Sequence, residues 1–199
     1  HSLIFIPIGA LIVTLFSRII FKKYLSWGET YLFSFLGFAT HGLLDACTSY
    51  GTQLLWPFTD ERISWNYISV VDPFLTIPVI LAIIFAIIMK NKYITLFGIV
   101  YILAYLTFGA YQENRAQFVG KSIANLRGHD SKDLTAKPSL GNLFLWKTIY
   151  EDDGFYYVDA VRLFSKLEYC QGTKIKKLDL PNDFPELDII TQQYKDIIR

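Results

Sequence analysis

Cysteine is scarce in this chain: Cys47 and Cys170 stand alone among 199 residues, with no CxxC spacing. Two such thiols exclude a disulfide framework. Glycine-rich loops are missing too. Gly9, Gly37 and Gly42 are isolated, so nothing cradles a phosphate, and small residues in apolar helices serve close packing instead. An excess of one charge is also lacking: the net charge is +1, and no basic cluster is interleaved with aromatics, which argues against nucleic acid as a partner. Nothing supports a serine or cysteine triad, since His129 sits in a polar stretch and Cys47 has no candidate base except His41. No repeat or low-complexity tract is present. The first residue is His1 rather than a methionine, and it opens directly into an apolar run, so we expect a fragment whose upstream part is missing.

What is abundant is apolar. Hydrophobic residues make up 52% of the chain and mean hydropathy is +0.31, above the usual range of a soluble domain of this length. The excess lies almost wholly before residue 112, in four runs: 3–21 closed by Lys22 and Lys23, 30–44, 73–89 closed by Lys90 and Lys92, and 94–111. Each is read as a helix spanning the roughly 30 Å hydrocarbon core. The fold expected is therefore an all-α polytopic membrane protein with four transmembrane helices over residues 1–115. A small α+β extramembrane domain over 116–199 follows. In that domain, 116–126 extends the fourth helix and 128–139 is a polar linker. Residues 144–150 and 155–163 form a β-hairpin through an Asp-Gly turn, and a last helix starts at Pro185.

His41 and Asp45 are the polar residues that stand out. Four apart on a helix, they share one face and can bind a metal ion together or exchange a proton. The competing reading is a pair that satisfies itself inside a helix bundle. The lysine pairs put the loops after the first and third runs on the cytoplasmic side. The opposite side then receives His1, His41, Asp45, Asp72 and the C-terminal domain. Two imidazoles and two carboxylates suit zinc, manganese or iron. A metal so held lowers the pKa of a bound water and polarises a carbonyl or phosphoryl oxygen, which is hydrolase chemistry. Asp72 has an alternative role as the N-cap of a helix with Pro73 at its first position. Glu151-Asp152-Asp153 is read as a solvated hairpin tip, and Trp56 and Trp65 as interface anchors.

His41-Gly42-Leu43-Leu44-Asp45, then Thr48, Tyr50-Gly51, Pro57-Phe58 and Asp72-Pro73-Phe74, resemble the bacterial membrane-bound, metal-dependent hydrolases of the YdjM type. His1-Ser2-Leu3 resembles the tail of that family's N-terminal Thr-His-Ser-Leu motif, and the preceding His-Arg-Gly element is absent. Pro138, Asn142 and Trp146 before a strand also look similar. The resemblance implies an inner-membrane hydrolase with a divalent metal, zinc first, held by His1, His41, Asp45 and Asp72. From the metal site and the topology, rather than from the resemblance, we expect action at the extracytoplasmic face on an ester or phosphoester of a lipid or lipid-linked substrate. The alternative from another class is a non-catalytic inner-membrane protein whose C-terminal domain binds a partner or envelope component.

Overall fold

Pro7 falls in the first turn of helix α1 (Ile6–Phe21), where its missing N–H deprives the helix of no bond. In the computed structural model, which describes residues 2–131, 133–164 and 167–178, a short 3-10 turn (Leu3–Phe5) leads into this helix. Arg18 closes its far end, donating to the Leu25 carbonyl at 3.0 Å with its guanidinium 5.6 Å from the Trp27 ring. Ser26 then caps α2 (Trp27–Ala46) in a reciprocal box with Glu29, whose carboxylate accepts from the Ser26 N–H at 2.8 Å. The two helices return antiparallel. A Cβ at Gly9 would lie 2.8 Å from the Phe38 ring, so only glycine lets the helices approach this closely there.

The second hairpin pairs α3 (Pro73–Met89) with α4 (Lys92–Leu126). α3 is apolar on all sides, carries Pro78 in its interior and stops at Lys90, which is left-handed at φ 49°. α4 has 35 residues and runs about 52 Å, far more than a bilayer crossing needs. Its excess length supports a sheet. Four strands, β1 (Thr135–Pro138), β2 (Leu145–Asp152), β3 (Phe155–Leu163) and β4 (Leu167–Lys176), follow one another as an antiparallel meander. The β2–β3 turn places Asp153 and Gly154 at φ 46° and 72°, the geometry that a two-residue Asp-Gly hairpin requires.

The core lies where sheet, α4 and the long 47–72 connection meet. Trp146, Val161 and Leu163 pack with Ala116, Val119 and Ile123 of α4, and with Cys47 and Ile68 of the connection. Gln112, fully buried, donates to the carbonyls of Leu143 and Leu163 and so ties helix to sheet. α4 crosses the 115/116 position without a break.

Two expectations about the fold need correction. Among the described residues only two helices, Leu3–Phe21 and Lys92–Leu126, are long and apolar enough to cross a membrane, so the four-span all-α architecture does not hold. α2 falls short because Glu29, Ser34, Thr40, His41 and Asp45 dilute its apolar residues. α3 falls short on length, since 17 residues rise about 25 Å. The C-terminal part is also more than a hairpin with helices. The polar linker ends in β1, whose Ala136 and Pro138 are buried, and β4 adds a further strand. Residues 168–176 of β4 are exposed, so no buried face marks this strand, and it forms by pairing to β3. The helix expected from Pro185 lies outside the described residues.

Candidate functional site

Because α1 and α2 run antiparallel, the start of one meets the end of the other. Residues 2–5 are held there by the 47–72 connection. The Ser2 hydroxyl donates to the Trp56 carbonyl, Leu3 N–H donates to the Leu54 carbonyl at 2.9 Å, and the Phe5 ring lies 5.5 Å from that of Trp56. Trp56 thus works as a clamp on the N-terminal segment.

At the facing end of α2, His41 Nδ1 lies 3.9 Å from Asp45 Oδ2, with the side chains 60% and 38% exposed. Asp45 borders a cavity of about 260 Å³ with Ser2, Tyr50, Gln53, Trp56 and Arg62. His41 ends a larger groove of about 670 Å³ between α1 and α2. Ser2 lines both, so groove and cavity adjoin.

Position on the helix sets the electrostatics of the two carboxylates. Asp45 is one residue from the end of α2, where the macrodipole is negative. A carboxylate there is less favoured than at a helix start, and the His41 imidazole is its neighbour one turn earlier. Asp72 occupies the opposite situation, at the N-cap of α3. Its Oδ1 accepts from the N–H groups of Phe74 and Leu75 at 3.1 and 3.3 Å, and both its oxygens accept from the Tyr105 hydroxyl at 2.9 Å. It is 4% exposed. The helix N-terminus and these hydrogen bonds stabilise a carboxylate there without a metal, against the cost of its burial.

The structure therefore brings His41 and Asp45 together and sets Asp72 in a hydrogen-bonded group with Tyr105. His1 lies outside the described residues. Among the described residues no group of three or more His, Cys, Asp or Glu side chains converges. His41 Nδ1 and Asp45 Oδ2, 3.9 Å apart, lie slightly beyond the roughly 3.4 Å that two zinc bonds of about 2.0–2.2 Å span at a tetrahedral angle, so a small rotation of these partly exposed side chains would be needed for them to share an ion. Asp72 fits less well, because its lone pairs are already engaged.

Sequence reading overlooked three features. Arg62 and Gln53 reach the cavity from a stretch that reads only as a loop. Tyr105 in an apolar run was itself a signal, since a buried phenol needs a partner. The third is a network at the end of α4. Arg127 is bidentate to Asp159 at 2.7 and 2.9 Å and donates to the Tyr150 hydroxyl at 3.0 Å, and His129 Nδ1 lies 3.0 Å from that hydroxyl. Gly172 N–H completes the set on Asp159 at 3.1 Å. The Asp159 hydrogen bond strengthens the guanidinium's hold on its proton, while burial pushes the Tyr150 phenol above its ordinary value. These groups join α4 to β2, β3 and β4, which is a structural task.

The described residues thus combine two helices long and apolar enough to cross a membrane, a polar His–Asp helix end and an attached antiparallel sheet. The chain belongs to the YdjM inner membrane protein family, whose model matches residues 1–116. The match takes in α1 to α3 and α4 as far as Ala116, so the sheet lies beyond it. No curated protein and no solved structure matches the chain. Family membership associates it with the lipid bilayer of the inner membrane.

Proposed function

We propose that the chain is a metal-dependent hydrolase of the inner membrane, with its site at the junction of the α1 start and the α2 end. The observation that carries this reading is Asp45, a carboxylate at the negative end of a helix, 3.9 Å from His41 and bordering a cavity. His1, His41 and Asp45 would hold the ion, zinc before manganese or iron. When bound, such an ion supplies water activation and polarisation of an ester or phosphoester oxygen. His41 and Asp45 orient each other along one helix face. Arg62 and Gln53 present donors to an anionic substrate group in the adjoining cavity. Asp72 acts as a positioning residue, fixing the start of α3 through Tyr105 rather than entering the ligand set. In this reading Lys22 and Lys23 after α1 and Lys92 at the opening of α4 face the cytoplasm, and the site at the α1 start and the sheet beyond α4 face outward.

Metal analysis of the purified protein in detergent tests it. Wild type should carry stoichiometric metal, lost in His41→Ala and Asp45→Ala and kept in Asp72→Asn. Metal-free wild type after growth and purification with zinc, manganese and iron supplied would overturn the reading.

A further inference from the structure

We infer that the groove between α1 and α2 holds one acyl chain of a phosphate-bearing lipid, with its phosphate in the cavity beside Arg62. The inference rests on the hydrolase reading only for what happens next to the bound lipid, not for the binding itself.

Three observations carry it. The groove, at about 670 Å³, falls within the roughly 300–1,000 Å³ of small-ligand sites. Its walls are largely apolar: Ile8 and Ile12 of α1, with Phe5 just before that helix, line it with Phe38 of α2, Ser34 is the polar residue along the wall, and Gly37 leaves the space open. Its end is polar, at Ser2 and His41, and Ser2 also borders an adjoining cavity lined by Arg62, Asp45, Gln53 and Tyr50. An apolar trough that adjoins one guanidinium and one carboxylate has the polarity of a phospholipid with a zwitterionic head, its phosphate toward Arg62 and its ammonium toward Asp45. The Arg62 guanidinium lies 5.9 Å from the Tyr50 ring, which holds it at the cavity wall.

The other interhelical groove supplies the contrast. Between α3 and α4 lies a trough of about 390 Å³, lined by Val79, Ile83, Gly98 and Ile99, with no ionisable residue in its lining. Bulk lipid or detergent can wet that surface without any headgroup preference. Acyl chains that merely coat apolar helices should therefore treat the two grooves alike, and a site should not.

Gly37 makes the distinction testable. A Cβ built there meets nothing within 4 Å, so a larger side chain enters the groove without striking the helix partner. Leucine at this position also removes a helix-interior glycine, which favours folding. Ser34, one turn earlier in the same groove, provides a second blocking position.

The experiment uses the whole chain in detergent, with chelator present so that neither metal nor turnover is required. Phosphatidylethanolamine carrying a diazirine in one acyl chain is photo-crosslinked at low mole fraction, and adducts are mapped by mass spectrometry. Diacylglycerol with the same chain is the uncharged comparison. In wild type, adducts of the phosphate lipid should concentrate severalfold on the α1–α2 groove over the α3–α4 groove. Gly37→Leu and Ser34→Phe should bring the first groove down to the level of the second, leaving the second unchanged. Arg62→Gln should reduce the phosphate lipid to the level of diacylglycerol. Equal labelling of the two grooves, or labelling indifferent to Gly37→Leu and Ser34→Phe, would overturn the site. Equal labelling by both lipids in wild type would overturn the phosphate assignment. A protein that binds no metal yet keeps groove-selective labelling defeats the hydrolase reading alone. One that binds metal without such selectivity defeats the groove alone.

Discussion

The Tyr105 hydroxyl lies 2.9 Å from both carboxylate oxygens of Asp72, joining the middle of α4 to the first turn of α3. That contact, with two backbone N–H groups, accounts for a carboxylate buried among apolar helices. Asp45 sits in the reverse setting, at a helix end that repels negative charge. Two aspartates that look alike in the sequence thus differ in what they need.

This difference separates their mutants. Asp72→Ala removes a cap and strands the Tyr105 hydroxyl, so thermal unfolding in detergent should register a loss of about 2–4 kcal/mol. Its melting temperature should still fall when chelator is added. Asp45→Asn should instead abolish the chelator response, which in wild type corresponds to about 2.7 kcal/mol when free metal is a hundredfold above Kd. Asp72→Ala with no chelator response, beside a responsive wild type, would return Asp72 to the ligand set.

Tyr105→Phe isolates the hydroxyl. The ring stays, but Asp72 loses its partner inside an apolar setting, and stability should drop by about 1–3 kcal/mol. Melting of the double variant Tyr105→Phe, Asp72→Asn checks the coupling. Additive losses would show that the contact contributes nothing of its own.

The two thiols should react at different rates. Cys47 is buried and burial pushes its thiol up, so little thiolate is present near neutrality, whereas Cys170 is exposed on β4. Maleimide at pH 8 should therefore label Cys170 first and reach Cys47 only after denaturation. Equal rates, followed by mass spectrometry, would contradict the packing of Cys47 against α4 and the sheet.

Stability at high pH should report on Tyr150. Burial holds its phenol above the ordinary value of about 10, with Arg127 acting in the opposite direction. The unfolded chain therefore releases this proton first. The contribution is fully present below about pH 10 and is lost as pH rises through the folded value. Tyr150→Phe should flatten that limb of the unfolding profile. Asp159→Ala, which breaks a buried ion pair, should cost about 3–5 kcal/mol at neutral pH.

Orientation is checked by labelling single introduced cysteines from outside intact cells, in a background with Cys47 and Cys170 replaced. A thiol at Ser131 should react, and thiols at Lys22 and Lys92 should be protected. The reverse pattern would put the site on the cytoplasmic side.

Much of this was written locally in the chain. Hydropathy alone marked the 3–21 and 94–111 runs, because a long unbroken apolar helix needs no partner to be recognised. The Asp-Gly turn set β2 against β3, and Asp72-Pro73 announced a capped helix start. His41 and Asp45 shared a face by their spacing. Tertiary structure decided the rest, for identifiable reasons. β4 is a strand because β3 offers it an edge, and β1 because its alternate residues find Trp146 and its neighbours. Tyr105 and Asp72 are 33 residues apart, so no local pattern could pair them. Arg62 reaches the cavity through a fold of the 47–72 connection whose bridges join Thr48 to Ile68 and Thr52 to Ile63. The sequence determined which residues were chemically unusual, since residue type and helical spacing are local properties. Which of them stand together was decided only by packing, because contact across long loops depends on what the intervening chain can bury.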